Sequence, residues 1–551
     1  MSEISACCAE DSRLVMKPDA LVQDLIEVGE RAPRTLGIER ARKKFLLNAA
    51  SNAGFIAVQV VANLWLTPFL IGYLGIAAFG MIPLVNSITA YMSILTTALD
   101  TALSRFLVID LERGDARLAN KTFNTALFGL IGIILALSPV VVALSLAFPT
   151  LFNVPRGWEV DASWLFALVA LTSFVTVVGS NFAVSPFIHS QFLLSNTVSL
   201  VGLLARIGLI VILFSLLPAR LWYAGGGALI AAVISLLGFA LLWHKLTPEL
   251  RIQITAFERS RLQSLMGMGG WVIVNTLGAM LLSRVDLIVV NAFFGAALTG
   301  GYGSVAQFSL LMEYLATAAG TAVRPVILIK YAQQDFAGLQ RLSLQSIKLL
   351  GLALALPVGL LCGFSRPLLS VWLGPDYEFL AILLIIIIAH QSLNLSVRPL
   401  LYVQTAYNRV RWPGIATLLC GGASLGLAVL LATWGKWGVA GVALAVAVAW
   451  TAKNAMYVPI YTAHIMKVRW WTFLPSLGPS VIGTLAVGFA AYGLALVQVP
   501  NSWLNLAGSA AIISLLYAAG VWEIGLSRAD RQLLRDLLPW RTGQHPVSIA
   551  R

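Results

Sequence analysis

Residues 45–75 read FLLNAASNAGFIAVQVVANLWLTPFLIGYLG, a stretch without a single charged side chain. A hydrocarbon core roughly 30 Å thick needs about 20 predominantly apolar residues per helical crossing, and this run is longer than that. Its polar members, Asn48, Asn52, Gln59, Asn63 and Thr67, recur at intervals of four or seven. That spacing sets them on one face of a helix. The alternation that marks a lipid-facing barrel strand is absent, and a helix is the other way to satisfy backbone polar groups in lipid. The stretch is therefore read as a membrane-spanning helix with one polar stripe.

The pattern continues to the far end of the chain. About fourteen such runs can be placed, beginning near Phe45, Phe79, Asn124, Ala162, Phe192, Leu221, Met268, Tyr302, Leu344, Phe379, Trp412, Trp437, Trp471 and Trp503. Of the 551 residues 59% are hydrophobic and 11% charged, less than half the charge of a typical soluble domain. A water-soluble globule is excluded, and the fold class is an all-α polytopic membrane protein. Residues 1–44 carry Arg31, Arg34, Arg40, Arg42, Lys43 and Lys44 and are too long and too charged for a signal peptide. They form an extramembrane tail.

The formal charge of +13 would suggest nucleic acid in a soluble protein, but here Lys and Arg alternate by loop as the positive-inside rule requires. With a cytoplasmic N-terminus, the outside connectors hold only Arg156, Arg220, Arg366 and Lys436, and Arg206 and Arg284 fall within spans. The remaining basic residues lie on the inside, so both termini are placed in the cytoplasm. The cysteines Cys7, Cys8, Cys362 and Cys420 make no disulfide framework.

Further stripes follow the first. The second span carries Asn86, Thr89, Ser93, Thr96, Asp100 and Ser104, the eighth Tyr302, Glu313, Thr317 and Arg324, the tenth His390, Asn394, Arg398 and Tyr402, and the fifth Ser195, Ser199 and Arg206. A Ser or Thr in such a stripe is ordinarily glue between helices. Ionisable groups deep in a span survive only by pairing or by facing water, which singles out Arg206, Arg284, Asp286 and Glu313. Arg284 and Asp286 would point to opposite sides of a regular helix, so one of them needs a distant partner or a local unwinding. Arg105, Arg324, Arg398 and Lys453 lie toward the cytoplasmic ends, where long side chains snorkel to the interface. Pro68, Pro83, Pro139 and Pro357 are expected to bend their helices.

The junction of spans one and two, from Pro68 to Gly80, and that of spans seven and eight, from Asp286 to Gly303, share a plan. A long helix ends near a Gly, an uncharged turn follows, and Phe-Gly or Tyr-Gly opens the next helix. This suggests two six-helix halves of the same orientation, with two extra helices after them, and parallel repeats of this kind place a site between the halves. The division is 1–44 tail, 45–243 first lobe, 244–267 linker, 268–461 second lobe, 462–525 extra pair and 526–551 tail. Apolar stripes at Leu21, Val22, Leu25 and Ile26 and at Leu533, Leu534, Leu537 and Leu538 read as amphipathic helices on the membrane surface.

On Pro68, Leu74, Gly75, Phe79, Gly80, Asp100, Arg105, Asp286, Gly295, Gly301 and Tyr302, the chain resembles the polysaccharide-flippase branch of the multidrug/oligosaccharidyl-lipid/polysaccharide exporter superfamily. The resemblance implies a V-shaped pair of bundles around a central cavity lined by helices one, two, seven and eight. It also implies cargo: an undecaprenyl-diphosphate-linked oligosaccharide moved to the periplasmic leaflet of the inner membrane by a monomer, alongside a polymerase and a chain-length regulator. Guanidinium groups suit a diphosphate, and the candidates for cargo contact are Arg206, Arg284, Arg398, Arg105, Arg324, Asn63, Asn86 and Asn275. Asp286, Glu313 and Asp100 are the candidates for proton or cation coupling. No cofactor is expected.

Rival readings are a peptidoglycan-precursor flippase, a cation-coupled small-molecule exporter of the same superfamily, and a membrane-embedded glycosyltransferase or polymerase. The last needs a sizeable extramembrane loop bearing catalytic groups, and the connectors near 153–161 and 365–378 are short. With no metal-ligand cluster, catalytic triad or phosphate loop in the sequence, the protein is expected not to be an enzyme.

Overall fold

The computed structural model describes residues 36–92, 94, 103, 104, 106–111 and 113–537. Among them the elements are all helices, joined by short connectors, and twelve helical segments are long and apolar enough to cross a membrane. The first lobe contains α1 (Leu36–Phe79), α2 (Met81–Ala90), α3 (Ala116–Leu151), α4 (Glu159–Ile188), α5 (Phe192–Leu216) and α6 (Trp222–Leu246). The second contains α7 (Arg259–Ser283), α8 (Val285–Ala332), α9 (Phe336–Gly363), α10 (Ser365–Trp372), α11 (Ala381–Ala389), α12 (Gln391–Ser396), α13 (Arg398–Ala406), α14 (Arg411–Thr433), α15 (Gly438–Thr451) and α16 (Val458–Ile465). Helices α17 (Gly478–Val497), α18 (Trp503–Gly520) and α19 (Arg528–Leu537) complete it.

Twelve and fourteen differ at two places. The seventh and eighth expected spans are counted once, as the stretch Ile273–Gly320 that α7 and α8 share across the single residue Arg284, and the second expected span lies partly outside the described residues, which show it as the short apolar helix α2. The tenth span is broken at His390 and Val397 into α11, α12 and α13. Of the C-terminal amphipathic stripe the helical backbone is seen in α19. The N-terminal stripe at Leu21 lies outside the described residues.

Burial is inverted relative to a soluble protein. Large apolar side chains stand on the outside, with Leu146 76% and Leu504 83% exposed, as a surface solvated by lipid tails requires. Two interior clusters lie beneath them. One packs Leu84, Phe148, Phe166 and Phe214 of the first lobe, and the other Val290, Phe308, Leu354 and Leu384 of the second.

Both α1 and α8 are interrupted by a glycine with positive φ: Gly75 at φ 74°, ψ 159° and Gly295 at φ 80°, ψ −178°. This combination is open to glycine and hardly to any other residue. Asp115 and Asp335 cap the helices that follow in each half, accepting from Leu118 N and Gly338 N at 2.8 Å. Gly295 follows Gly75 at the same interval at which Asp335 follows Asp115, so the junctions that look alike in sequence are alike in backbone. A Cβ at Gly75 would meet nothing within 4 Å, which leaves backbone strain as its only cost. Gly75→Ala is expected to lower unfolding stability by about 1–3 kcal/mol, measured by thermal or chaotrope unfolding of the detergent-solubilised protein. A melt identical to wild type would show that the turn needs no glycine.

The prolines differ from expectation in one case. Pro68, Pro139 and Pro357 lie inside helices, but Pro83 sits in the first turn of α2. Its i−4 carbonyl is that of Phe79, the last residue of α1, so the missing N–H falls at the junction of the two helices, between the bonds from Gly80 N to Ile76 O and from Leu84 N to Gly80 O.

The linker is tied to α3 rather than free. Asn124, fully buried, donates to Arg251 O at 2.8 Å and accepts from Gln253 N at 2.8 Å. Arg261 at the start of α7 reaches Asp110 at 2.6 Å, and Lys121 pairs with Glu258 at 3.0 Å. The Lys121 ammonium and the Ser260 hydroxyl hold the Glu258 carboxyl below its usual range.

Candidate functional site: a charged cavity between the lobes

The two lobes meet at the end of the bundle where Gly75 and Gly295 turn the chain. Gly80 lies against the backbone of Gly300 and Ala296, and a Cβ at Gly300 would overlap the carbonyl oxygen of Ile76. These glycines permit backbone-to-backbone approach between helices of opposite lobes. Asn153 and Asn291 then join across the seam. Asn153 N donates to Asn291 Oδ1 at 2.9 Å, Asn153 Nδ2 to Asn291 O at 2.7 Å, and Asn291 Nδ2 to Asn153 O at 3.3 Å. Trp372 Nε1 donates to Leu64 O at 2.8 Å. The glycine end is sealed.

Beneath this seal lies a cavity of about 420 Å³ walled by both lobes. Asn63 and Thr67 of α1, Asn86 and Ser87 of α2 and Arg206 of α5 face it from the first lobe. Arg284, Asp286, Gln307 and Glu313 face it from the second, with His390, Gln391, Asn394 and Trp450. Thr67 and Gln307 bridge the lobes, Gln307 Nε2 donating to Thr67 Oγ1 at 2.8 Å.

Arg284 and Asp286 share the cavity because the helix does not run through them. Arg284 has φ −135°, ψ −19° and separates α7 from α8. A single non-helical residue re-aims its neighbours, so the two charges that a regular helix would oppose look into one space. Asp286 is 8% exposed. Its Oδ2 accepts from the Tyr302 hydroxyl at 2.8 Å, and its Oδ1 from Leu287 N at 2.9 Å.

Removing one donor from a buried carboxylate leaves part of its desolvation uncompensated. Tyr302→Phe should therefore cost about 1–3 kcal/mol of stability. A double-variant cycle with Asp286→Asn measures the coupling, and purely additive effects would show that the hydroxyl and carboxylate act independently.

Arg206 and Arg284 enter none of the ion pairs found among the described residues. The Arg206 Nε is buried with no hydrogen-bond partner there. An intramembrane guanidinium without a carboxylate is costly unless an anion or water meets it.

Of the residues expected to contact cargo, Asn63, Asn86, Arg206 and Arg284 thus line one cavity, and so do Asp286 and Glu313 of the coupling candidates. Arg398 lies off this lining and donates to Thr317 Oγ1. Arg324 is exposed, its guanidinium 5.9 Å from the centre of the Tyr402 ring, and Asn275 is exposed on α7. Asp100 and Arg105 lie outside the described residues. Gln307, Gln391 and Trp450 were not singled out from sequence. Gln307 and Gln391 are polar groups within apolar runs and carried the usual signal, whereas Trp450 reads as an ordinary lipid-facing aromatic.

Helices in two lobes around a charged cavity of about 420 Å³, closed at one end, define a polytopic membrane protein of transporter architecture. The chain belongs to the polysaccharide biosynthesis protein family, whose sequence model matches residues 48–328. The membrane protein EpsK of Bacillus subtilis (strain 168) is 29% identical over 501 residues, 89% of this chain and 97% of that one. Among solved structures, the lipid II flippase MurJ in an inward closed conformation superposes with a TM-score of 0.63 at 15% identity, covering 89% of this chain and all of MurJ. An inward-facing multidrug-resistance MATE transporter gives a TM-score of 0.56 at 13% identity, covering 82% of this chain and all of that one. The chain shares its fold with both of these transporters.

Proposed function

We propose that this protein is a bacterial inner-membrane flippase. It moves undecaprenyl-diphosphate-linked oligosaccharide repeat units to the periplasmic leaflet by alternating access, for O-antigen, exopolysaccharide or capsule assembly. One observation carries the reading: two arginines from opposite lobes, Arg206 and Arg284, face the same cavity without a carboxylate partner among the described residues. A diphosphate supplies the anionic oxygens that guanidinium groups bind best, and Asn63, Asn86, Gln307 and Trp450 around them suit sugar hydroxyls and rings. Family membership and the likeness to a flippase fold support it. The glycine end, sealed here, is the periplasmic side in this reading, and both termini are cytoplasmic.

Asp286 and Glu313 in the same cavity favour coupling to a proton or cation, and they are also what a cation-coupled small-molecule exporter would need. The experiment that separates the readings measures lipid-linked oligosaccharide in each leaflet of cells lacking the protein. Accumulation on the cytoplasmic side, cleared by wild type, supports the flippase. Accumulation of small cationic compounds with no accumulated lipid intermediate would replace it with the exporter.

A further inference from the structure

A second cavity, also of about 420 Å³, lies wholly within the first lobe between α1, α4, α5 and α6. Its walls are mainly apolar: Phe55, Leu203, Leu236 and Phe239 with small residues between them, and Gln59, Ser199 and Ser235 as the polar side chains from α1, α5 and α6. The hydroxyls that reach it from α4 are already committed. Thr172, Thr176 and Ser180 donate to the carbonyls of Leu168, Thr172 and Val177 on their own helix, each at 2.8 Å. A hydroxyl bonded back to its helix has no donor left for water, sugar or anion. Neither an acidic residue nor a lysine lines this slot. Its one charge is Arg206, which borders both this slot and the central cavity.

An apolar slot ending on an unpartnered cation is complementary to an amphiphile with a hydrocarbon chain and an anionic head. We infer that the slot holds the first part of the polyisoprenoid chain of the cargo, with its phosphate at Arg206 and its sugars in the central cavity. Arg206 is then the point where head and tail part. This rests on the flippase reading above.

Full-length protein in lipid nanodiscs is irradiated with a polyprenyl phosphate bearing a diazirine near the phosphate end of its chain, and labelled peptides are mapped. The expected result is labelling of α1, α5 and α6 around Phe55, Leu203 and Phe239, competed by unlabelled polyprenyl phosphate and not by phosphatidylglycerol. Ser199→Trp and Ala228→Phe, which fill the slot from two walls, should lower that labelling roughly tenfold, the equivalent of excluding about two methylene groups. If these variants do not fold by size-exclusion chromatography, the wild-type labelling map decides alone.

Labelling confined to α17 and α18, or competition by phosphatidylglycerol as strong as by polyprenyl phosphate, overturns the inference. In either case wild-type clearance of the intermediate in cells would keep the flippase reading. Absence of any such intermediate would remove both.

Discussion

Replacing Gly300 with alanine should open the glycine end and stop transport. The added methyl cannot be accommodated by a rotamer change, because it overlaps a backbone carbonyl, that of Ile76, on the opposite lobe. Overpacking typically costs about 1–3 kcal/mol, and a rigid obstacle places this case at the upper end. The cost falls on the closed arrangement, where the two helices touch, and not on one in which the lobes have separated. About 3 kcal/mol shifts the closed-to-open ratio by roughly 100-fold. Tyr73 and Phe293, each 46% exposed, stand two residues before Gly75 and Gly295 on opposite lobes, and spin labels at Tyr73→Cys and Phe293→Cys report the separation of the two turns. A longer distance in Gly300→Ala is expected, and Gly80→Ala should behave alike, since its Cβ would stand 2.6 Å from Gly300 N. An unchanged distance distribution would show that the glycine contact does not set the closed state.

The second large effect is expected at the cavity arginines. Loss of a hydrogen bond to a charged partner costs about 1.5–3 kcal/mol, so Arg206→Ala and Arg284→Ala should each slow translocation of lipid-linked oligosaccharide in proteoliposomes roughly 10- to 100-fold. Arg206→Lys keeps the charge and loses the planar fork, and should fall between. Arg324→Ala, away from the cavity lining, is the control for a general effect of removing positive charge. Equal rates in wild type and both alanine variants would make the two arginines structural, and the cationic-site reading would go with them.

Much of this architecture was legible in the sequence because the bilayer imposes it locally. Each helix must be apolar over its own length, so the runs beginning at Phe45, Asn124 or Trp503 declare themselves without reference to the rest of the chain. The stripe containing Asn63 and Thr67 pointed to the cavity through helical phase alone, and the matching junctions at Gly75 and Gly295 announced the recurrence later seen in their φ angles. Arg206, Arg284, Asp286 and Glu313 were found by the cost of charge in lipid.

What only the tertiary structure decided are relations between distant positions and departures from helical regularity. No local pattern couples Thr67 to Gln307, 240 residues away, or Asn153 to Asn291, 138 away. The break at Arg284 lies in an apolar stretch with no proline, so periodicity carried the helix through it and set Arg284 and Asp286 on opposite faces. Arg324 and Arg398 share the chemistry of Arg284, yet packing sends one to the face of Tyr402 and the other to the Thr317 hydroxyl. Composition and phase determine which groups can enter the membrane and on which side of a helix they stand. Which of them meet is set by how the two lobes close on one another, through contacts between segments whose separation along the chain leaves no periodic trace.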